Sequence, residues 1–499
     1  MNAQVVRSLA RQLDARLVET HISWVLLAGD LAWKIKKPVQ LGFLDFGTLE
    51  ARERMCHEEL RLNRRLAPSL YLEVVPVTGT AQAPQLGGPG EAIEWALKMR
   101  RFADGALLSE HLERGALTLE LIGSLGHRLA AFHRDAPIAD AATDFATPAR
   151  IDSDMLAVIA RLGEHLRNGP GEQHLVTLRH WASGQAKALR ETWLARRHDG
   201  WVREGHGDLH LANAVVLNGD VTAFDCIEFD PALRWIDVQA DTGFAVMDLL
   251  AHGRTDLAFR LLDAYLGDSG DHGGLVVLRY YLVYRALVRA LVAALRPPRR
   301  DAPDYLGLAL QRLQPPGARL MITHGVSGSG KSHVAARLLE LAGAIRLRSD
   351  IERKRLFGLA PLEASTGRVP AGIYDADATQ RTHARLERLA DVALGAGWPV
   401  IVDATFLRAS ERAMFRGLAL RHGVPFTILA CAAPPELLQQ RVAERSRRAD
   451  DPSEADAQVL QHQLRSIEPL DSSERHASIA LDTSMPLDVD ALAAAWAAR

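Results

Sequence analysis

Gly325-Val326-Ser327-Gly328-Ser329-Gly330-Lys331-Ser332 matches G-x-x-x-x-G-K-[ST] at every fixed position. The apolar run 320–323 precedes it, and a helical pattern opens at Lys331 and closes at Gly343. That strand–loop–helix setting is the one the pattern needs. Glycines let backbone N–H groups curl around phosphate oxygens, and the helix start adds a favourable dipole. Lys331 is placed to bridge phosphates and Ser332 to ligate magnesium. A Gly-rich turn without a ligand is the bland alternative, and the complete match counts against it.

Working outward, the next strand end reads Arg346-Leu-Arg-Ser-Asp350, and Val400-Ile-Val-Asp403-Ala-Thr405 is an apolar run ending in an acid. Apolar runs at 426–430 and 479–481 alternate with helical patterns from Lys331 and Pro435. This alternation predicts a parallel sheet covered by helices. Arg441 and Arg445 lie four apart on one helical face, followed by Arg447, Arg448 and Asp450-Asp451-Pro452. Two uses stay open for each group. Asp350 is either a base for an attacking hydroxyl or an N-cap for the helix after it. Arg441 and Arg445 either clamp a phosphate or line a solvated face. The basic run Arg346, Arg348, Arg353, Lys354, Arg355 fits a phosphorylated or nucleotide substrate. It lacks the interleaved aromatics of a single-strand binder.

Residues 318–499 resemble the P-loop kinases that include gluconate kinase, the polynucleotide kinase 5′ domain and zeta-toxin-like kinases. The resemblance implies that Asp350 activates the hydroxyl, Asp403 helps organise magnesium, and Arg441 and Arg445 belong to a closing lid. It also implies that Asp482-Thr483 forms the adenine-side loop.

Before residue 300 the informative stretch is His206-Gly-Asp-Leu-His-Leu-Ala-Asn213, followed by Phe224-Asp225-Cys-Ile-Glu228. Phosphoryl transfer needs a carboxylate to orient a hydroxyl, and a side-chain carbonyl plus a second carboxylate to hold magnesium. Asp208, Asn213 and Asp225 supply these groups, with the spacing of H-R-D-x-x-x-x-N between the first two. Upstream, Leu31-Ala-Trp-Lys34 stands where V-A-I-K stands in kinases, on a strand after a Gly29-Asp30 hairpin. Lys34 and Lys36 share one face of that strand. Either can reach ATP phosphates, with Glu59 preferred and Glu58 open as the partner on the helical stretch 49–66. Residues 99–102 are the expected adenine hinge. His206 reads as a scaffold of the loop. The acids Glu228, Asp230, Asp237, Asp241 and Asp248 either attract a cationic substrate or bond the loop backbone and cap helices.

Residues 20–295 resemble the aminoglycoside phosphotransferase and choline-kinase-like family. Gly207 stands where protein kinases carry Arg, as in the small-molecule kinases. The chain has no G-x-G-x-x-G and no A-P-E, and no D-F-G follows the His206–Asn213 loop, the Asp45-Phe46-Gly47 triplet lying far upstream of it, so protein-kinase activity is disfavoured. The expected fold is an α+β two-lobed protein-kinase-like domain followed by an α/β P-loop domain with a parallel sheet. The boundaries are 1–296 (lobes about 1–100 and 101–296), a linker at 297–317, and 318–499. Two adjacent prolines and charges in 296–303 mark the break, and the Pro- and Gly-rich 81–90 reads as a long turn. The whole length resembles bacterial fusions of these two modules.

The 499 residues carry 59 Lys plus Arg against 61 Asp plus Glu, a net charge of −2, which argues against a chain that mainly coats nucleic acid while leaving room for a local basic groove. The 3 cysteines form no CxxC pair, so neither a disulfide framework nor a zinc knuckle is expected. No secretory signal is read at the N-terminus, and the apolar stretch 275–295 is broken by Arg279, Arg285 and Arg289. The expectation is a cytoplasmic, ATP- and Mg2+-dependent phosphotransferase acting on a small-molecule hydroxyl, with acceptor contacts from 105–200 and 355–375. Two other uses remain. The P-loop half phosphorylates a nucleotide or nucleic-acid end that the first half presents, or the first half is a pseudokinase sensor. The complete Asp208, Asn213, Asp225 set counts against the sensor and the missing glycine-rich loop counts for it. Oligomeric state is not legible.

Overall fold

Short apolar runs separated by turn residues make the first hundred residues a sheet. In the computed structural model, which describes residues 2–41, 44–166, 171–295, 297, 302–365, 373–448 and 451–499, six antiparallel strands line up there. Their order is Arg16–Glu19, Ser23–Ala28, Leu31–Lys36, Glu94–Arg100, Tyr71–Gly79 and Pro84–Leu86. Most of the break at 296–303, Asp450 and part of 355–375 lie outside the described residues.

Contacts within the chain form two compact units, Met1–Asp154 with Trp193–Asp248, and Met155–Thr192 with Leu249–Arg499. This grouping by packing joins Leu249 and the residues after it to the P-loop sheet. The division by motifs, at 297–317, groups 249–296 with the first module.

In the first unit, Val5, Val6 and Leu9 of the helix Asn2–Gln12 pack on Trp24, Leu26, Trp33, Ile35, Val77 and Ala96 of the sheet. The helix Leu49–Asn63 is capped by Thr48, whose side chain accepts from Ala51 N. It packs on the strands Tyr71–Gly79 and Glu94–Arg100, which sets Glu59 beneath the sheet. Two small two-stranded antiparallel sheets follow, the hairpin Ala214–Leu217 with Asp220–Ala223, and Val202–Glu204 with Trp235–Asp237. They frame the loop that carries Asp208 and Asn213.

In the second unit, five strands are all parallel, in the order Ile345–Arg348, Val400–Asp403, Leu320–His324, Phe426–Ala432, Ser478–Asp482. The strands Leu320–His324 and Val400–Asp403 are buried at every position, as parallel strands covered on both faces should be. Arg348 stands opposite Asp403 in register, so both lie at the carboxyl edge where the P-loop turns into the helix Lys331–Ala342. Val334, Ala335, Leu338 and Leu339 form the buried stripe of that helix. Gly343 closes it in the left-handed conformation, φ 61°. The apolar stretch near 280 is the helix Leu275–Ala294, with Arg285 buried. No helix among the described residues is long and apolar enough to cross a membrane. The α+β part followed by an α/β part with a parallel sheet is the fold class expected from the sequence.

Several strands escape the sequence patterns, among them Arg16–Glu19 and Pro84–Leu86. Arg16–Glu19 is exposed at all four positions, so it shows no alternation. Pro84–Leu86 sits inside 81–90, and corrects the reading of that stretch as turn alone.

Candidate functional site

The hairpin strand Leu31–Lys36 places Lys34 and Lys36 on one face, and both meet Glu59. Lys34 Nζ lies 2.7 Å from Glu59 Oε1 and 2.6 Å from Asp225 Oδ1. Lys36 Nζ lies 2.6 Å from Glu59 Oε2 and also pairs with Glu228. Glu59 is fully buried, Lys36 nearly so. Burial alone would push the Lys34 ammonium down, but Asp225 and Glu59 raise it well above the usual lysine value. Glu58 instead pairs with Arg61 and Arg234, each at 2.7 Å. Of the open pairs, only Lys34 with Glu59 reaches Asp225.

Asp225 adopts φ 65°, a region that costs a non-glycine residue energy unless its surroundings hold it. They do. Its N–H donates to Tyr71 Oη at 3.1 Å, and the next N–H donates to Asn63 Oδ1 at 2.9 Å. Asn213 Nδ2 donates to Asp208 Oδ2 at 3.0 Å and to the Asp208 carbonyl at 2.9 Å. Asp208 and Asp225 keep 38% and 42% of their side-chain surface exposed, so both remain reachable by a substrate.

The acids around the loop are used internally. Asp241 accepts from His206 N at 2.6 Å and Gly207 N at 3.0 Å, and Asp248 accepts from Leu211 N at 3.0 Å. Asp230 caps a short turn and Asp237 pairs with Arg196. The reading of these acids as a lure for a cationic substrate is not supported. His206 Nε2 lies 2.8 Å from the Phe224 carbonyl, a scaffold contact. Gly207 has φ 87°, and a Cβ there would meet the Leu233 carbonyl at 2.7 Å. A side chain such as Arg does not fit.

In the P-loop, Gly325 N donates to Thr405 O at 3.1 Å and Ser327 N to Gln463 Oε1 at 2.7 Å. Gly328 has φ 82°, with the Leu438 carbonyl 2.7 Å from where a Cβ would stand. Val326 packs with Leu438, Val442 and Leu460, which seats the loop on the two helices Pro435–Arg448 and Ala457–Ser466. Ser329 N donates to Val326 O, and Gly330 caps the helix at φ 81°. Lys331 Nζ donates to the Val326 carbonyl at 2.8 Å. Burial lowers its affinity for the proton, with Asp403 pulling the other way.

Ser332 Oγ donates to Asp403 Oδ1 at 3.1 Å. Asp403 Oδ2 is buried and has no hydrogen-bond partner among the described residues. Arg346 and Arg348 stand back from it at 4.0 and 3.9 Å, and a buried carboxylate oxygen that accepts no hydrogen bond is costly. Beside a hydroxyl at a phosphate loop, it matches the sparse protein donor set that magnesium takes when phosphates and water fill the rest. The residues present therefore fit the cation.

Asp350 lies in the first turn of the helix Ser349–Leu356, whose N-cap is Arg348 with no side-chain cap bond. Asp350 is thus not the N-cap. Burial raises its carboxyl above the usual aspartate value, against the pull of Arg348 and Arg353. Arg441 is tied down, donating to Gly328 O at 3.2 Å, Thr483 Oγ1 at 2.8 Å and Thr483 O at 2.8 Å. Arg445 donates to Ala455 O at 2.6 Å, while its Nε is buried without a hydrogen-bond partner among the described residues. Neither lies on a merely solvated face. Sequence reasoning missed Gln463, Tyr374 and Asp451 here. Arg348 pairs with Asp451 at 3.1 Å, and Tyr374 Oη accepts from Glu454 N at 3.0 Å. Asp451 was only noted beside the arginines, and no spacing singles out the other two.

Residues 320–470 match the AAA domain family model. Among solved structures, a gluconokinase from Sinorhizobium meliloti 1021 aligns at 24% identity over 37% of this chain and 93% of its own, TM-score 0.27. A choline kinase from Cryptosporidium parvum Iowa II aligns at 8% identity over 62% of this chain and 93% of its own, TM-score 0.40. Among curated proteins, the uncharacterized protein Rv2004c of Mycobacterium tuberculosis (strain ATCC 25618 / H37Rv) is 30% identical over 443 residues, 87% of this chain and 86% of its own. On that extent of shared sequence, the chain belongs to the family of this mycobacterial protein.

Proposed function

We propose that the chain is a cytoplasmic, Mg2+-dependent phosphotransferase that moves the γ-phosphate of ATP to a hydroxyl of a small molecule. It joins an aminoglycoside-phosphotransferase-like module to a P-loop kinase module. The observation that carries this is the Ser332–Asp403 pair, whose second buried carboxylate oxygen accepts no hydrogen bond among the described residues, beside Lys331 and next to the strand end that leads to Asp350. In this reading the P-loop N–H groups and Lys331 bind the phosphates, and Ser332 and Asp403 hold the metal. Bound magnesium supplies charge neutralisation of the phosphates. Asp350 accepts the hydroxyl proton, a role that its raised proton affinity favours near neutrality. Arg445 faces the transferring group, and Arg441 braces the loop against Thr483.

The first module is the second phosphate-handling site. Lys34 and Glu59 bind ATP, Asn213 and Asp225 hold metal, and Asp208 orients the acceptor hydroxyl. Its support is the shared Lys34 contact to Glu59 and Asp225.

The test mixes the full chain with MgATP and a library of cell metabolites, plus oligonucleotides with free 5′-hydroxyls, and follows phosphorylated products by mass. Asp208→Ala and Lys331→Ala are run separately. Loss of a metabolite product in Lys331→Ala supports the proposal. A product on oligonucleotides alone moves the acceptor to nucleic-acid ends. If neither variant alters any product, the phosphotransferase reading fails.

A further inference from the structure

Asp403 Oδ2 accepts no hydrogen bond among the described residues, and Arg348, 3.9 Å from it, is held by Asp451. Arg346 stands between that oxygen and an acid from 83 positions upstream. That acid is Asp263, on the helix Thr255–Ser269, which belongs to the same compact unit as the P-loop. The helix is pinned there. Phe259 and Trp398 meet edge to face, 6.1 Å between centroids, and Arg355 donates to the Gly267 carbonyl at 2.6 Å. Trp398 Nε1 donates to Leu275 O of the following helix at 3.0 Å. Asp263 falls one turn after Phe259 and beside Leu262, so an acid occupies part of the buried face.

It faces one partner. Arg346 Nε and one terminal nitrogen reach the two Asp263 oxygens at 3.1 and 2.6 Å, a two-point fork. The other terminal nitrogen donates to the Ser332 carbonyl at 3.2 Å and lies 4.0 Å from Asp403 Oδ2. Arg346 and Asp403 are both buried. A buried guanidinium pairs with a carboxylate where it can, because leaving it alone is costly. Without Asp263, the carboxylate within reach is Asp403.

We infer that Asp263 is a positioning residue of the magnesium–nucleotide site: it holds Arg346 on the Ser332 carbonyl and off Asp403, so that the Asp403 oxygen stays free for the cation. This rests on the reading of the P-loop as that site. It also makes the helix Thr255–Ser269 a working part of the P-loop module.

The test titrates Mg2+ against binding of a fluorescent ATP analogue to the full chain, with thermal unfolding alongside. Asp263→Asn is expected to raise the Mg2+ needed for half-saturation by about tenfold, within the range for outer-shell partners of a metal. The double variant Asp263→Asn with Arg346→Gln is expected to return to within about threefold of wild type, since the competing cation is gone. A merely structural pair would lower the unfolding temperature in both and give no such rescue. Arg346→Gln alone, readable even if Asp263→Asn does not fold, is expected to leave the Mg2+ requirement within the same range. An unchanged requirement in Asp263→Asn, a double variant as weak as Asp263→Asn, or tenfold weakening in Arg346→Gln overturns the inference. If wild type binds the analogue with no Mg2+ dependence, the nucleotide reading itself falls.

Discussion

The two candidate sites balance their charges in opposite ways. In the first site both lysines already have acids: Lys34 is shared by Glu59 and Asp225, and Lys36 by Glu59 and Glu228. In the second, Lys331 rests on a neutral carbonyl and one oxygen of Asp403 has no hydrogen bond among the described residues. On the proposed function, a phosphate reaching Lys34 in the first site competes with Asp225. At the P-loop it displaces only a carbonyl contact and meets a carboxylate in need of a cation. On the proposed function, the difference predicts that the P-loop is the tighter nucleotide site and that the ion pairs of the first site contribute mainly to stability.

Variants can break that contrast. The largest effect is expected at Asp350. Asp350→Asn should lower kcat about 10²–10⁴-fold with nucleotide binding retained, the range for loss of a general base. Its proton affinity is raised by burial, so wild-type rate should climb as pH rises through that raised value. The acid limb of a pH–rate profile should vanish in the variant. An acid limb that persists in Asp350→Asn assigns the base elsewhere.

Glu59→Gln should act on stability. Glu59 is fully buried against two lysines, and removing one member of a buried pair costs about 3–5 kcal/mol. Asp225 and Glu228 still face those lysines, so the loss belongs near the lower end, and urea unfolding of the full chain measures it. A loss under about 1 kcal/mol, the worth of an exposed pair, would erase the contrast between the sites.

The smallest effect is at the P-loop backbone. Gly328→Ala forces a left-handed residue and a Cβ against the Leu438 carbonyl, a strain of about 1–2 kcal/mol. It should lower stability in urea by about that amount, and where the loop shifts to relieve the clash, nucleotide affinity should weaken by about tenfold.

Much of this was legible because chemistry dictates spacing. A phosphate cradle needs its glycines, lysine and hydroxyl in one order, and the strand and helix around residues 325–332 formed where that order placed them. The choice between Lys34 and Lys36 could not be read, since a period of two puts both on one face, and Glu59 uses one oxygen for each. The contact of Arg346 with Asp263 joins residues 83 apart, and Arg346 looked like one member of a basic run. The left-handed Asp225 depends on Tyr71 and Asn63, both from other elements. Short-range pattern carries none of these. The exposed strand Arg16–Glu19 was invisible for the opposite reason, because it has no buried side to leave an apolar mark.

The most direct measurement is equilibrium binding of MgATP to wild type, Lys331→Ala and Lys34→Met. The account predicts that Lys331→Ala loses the tightest binding, by about 10²-fold or more, the scale of removing a preorganised phosphate donor, while Lys34→Met keeps it. Tight binding that survives Lys331→Ala and disappears in Lys34→Met would contradict it.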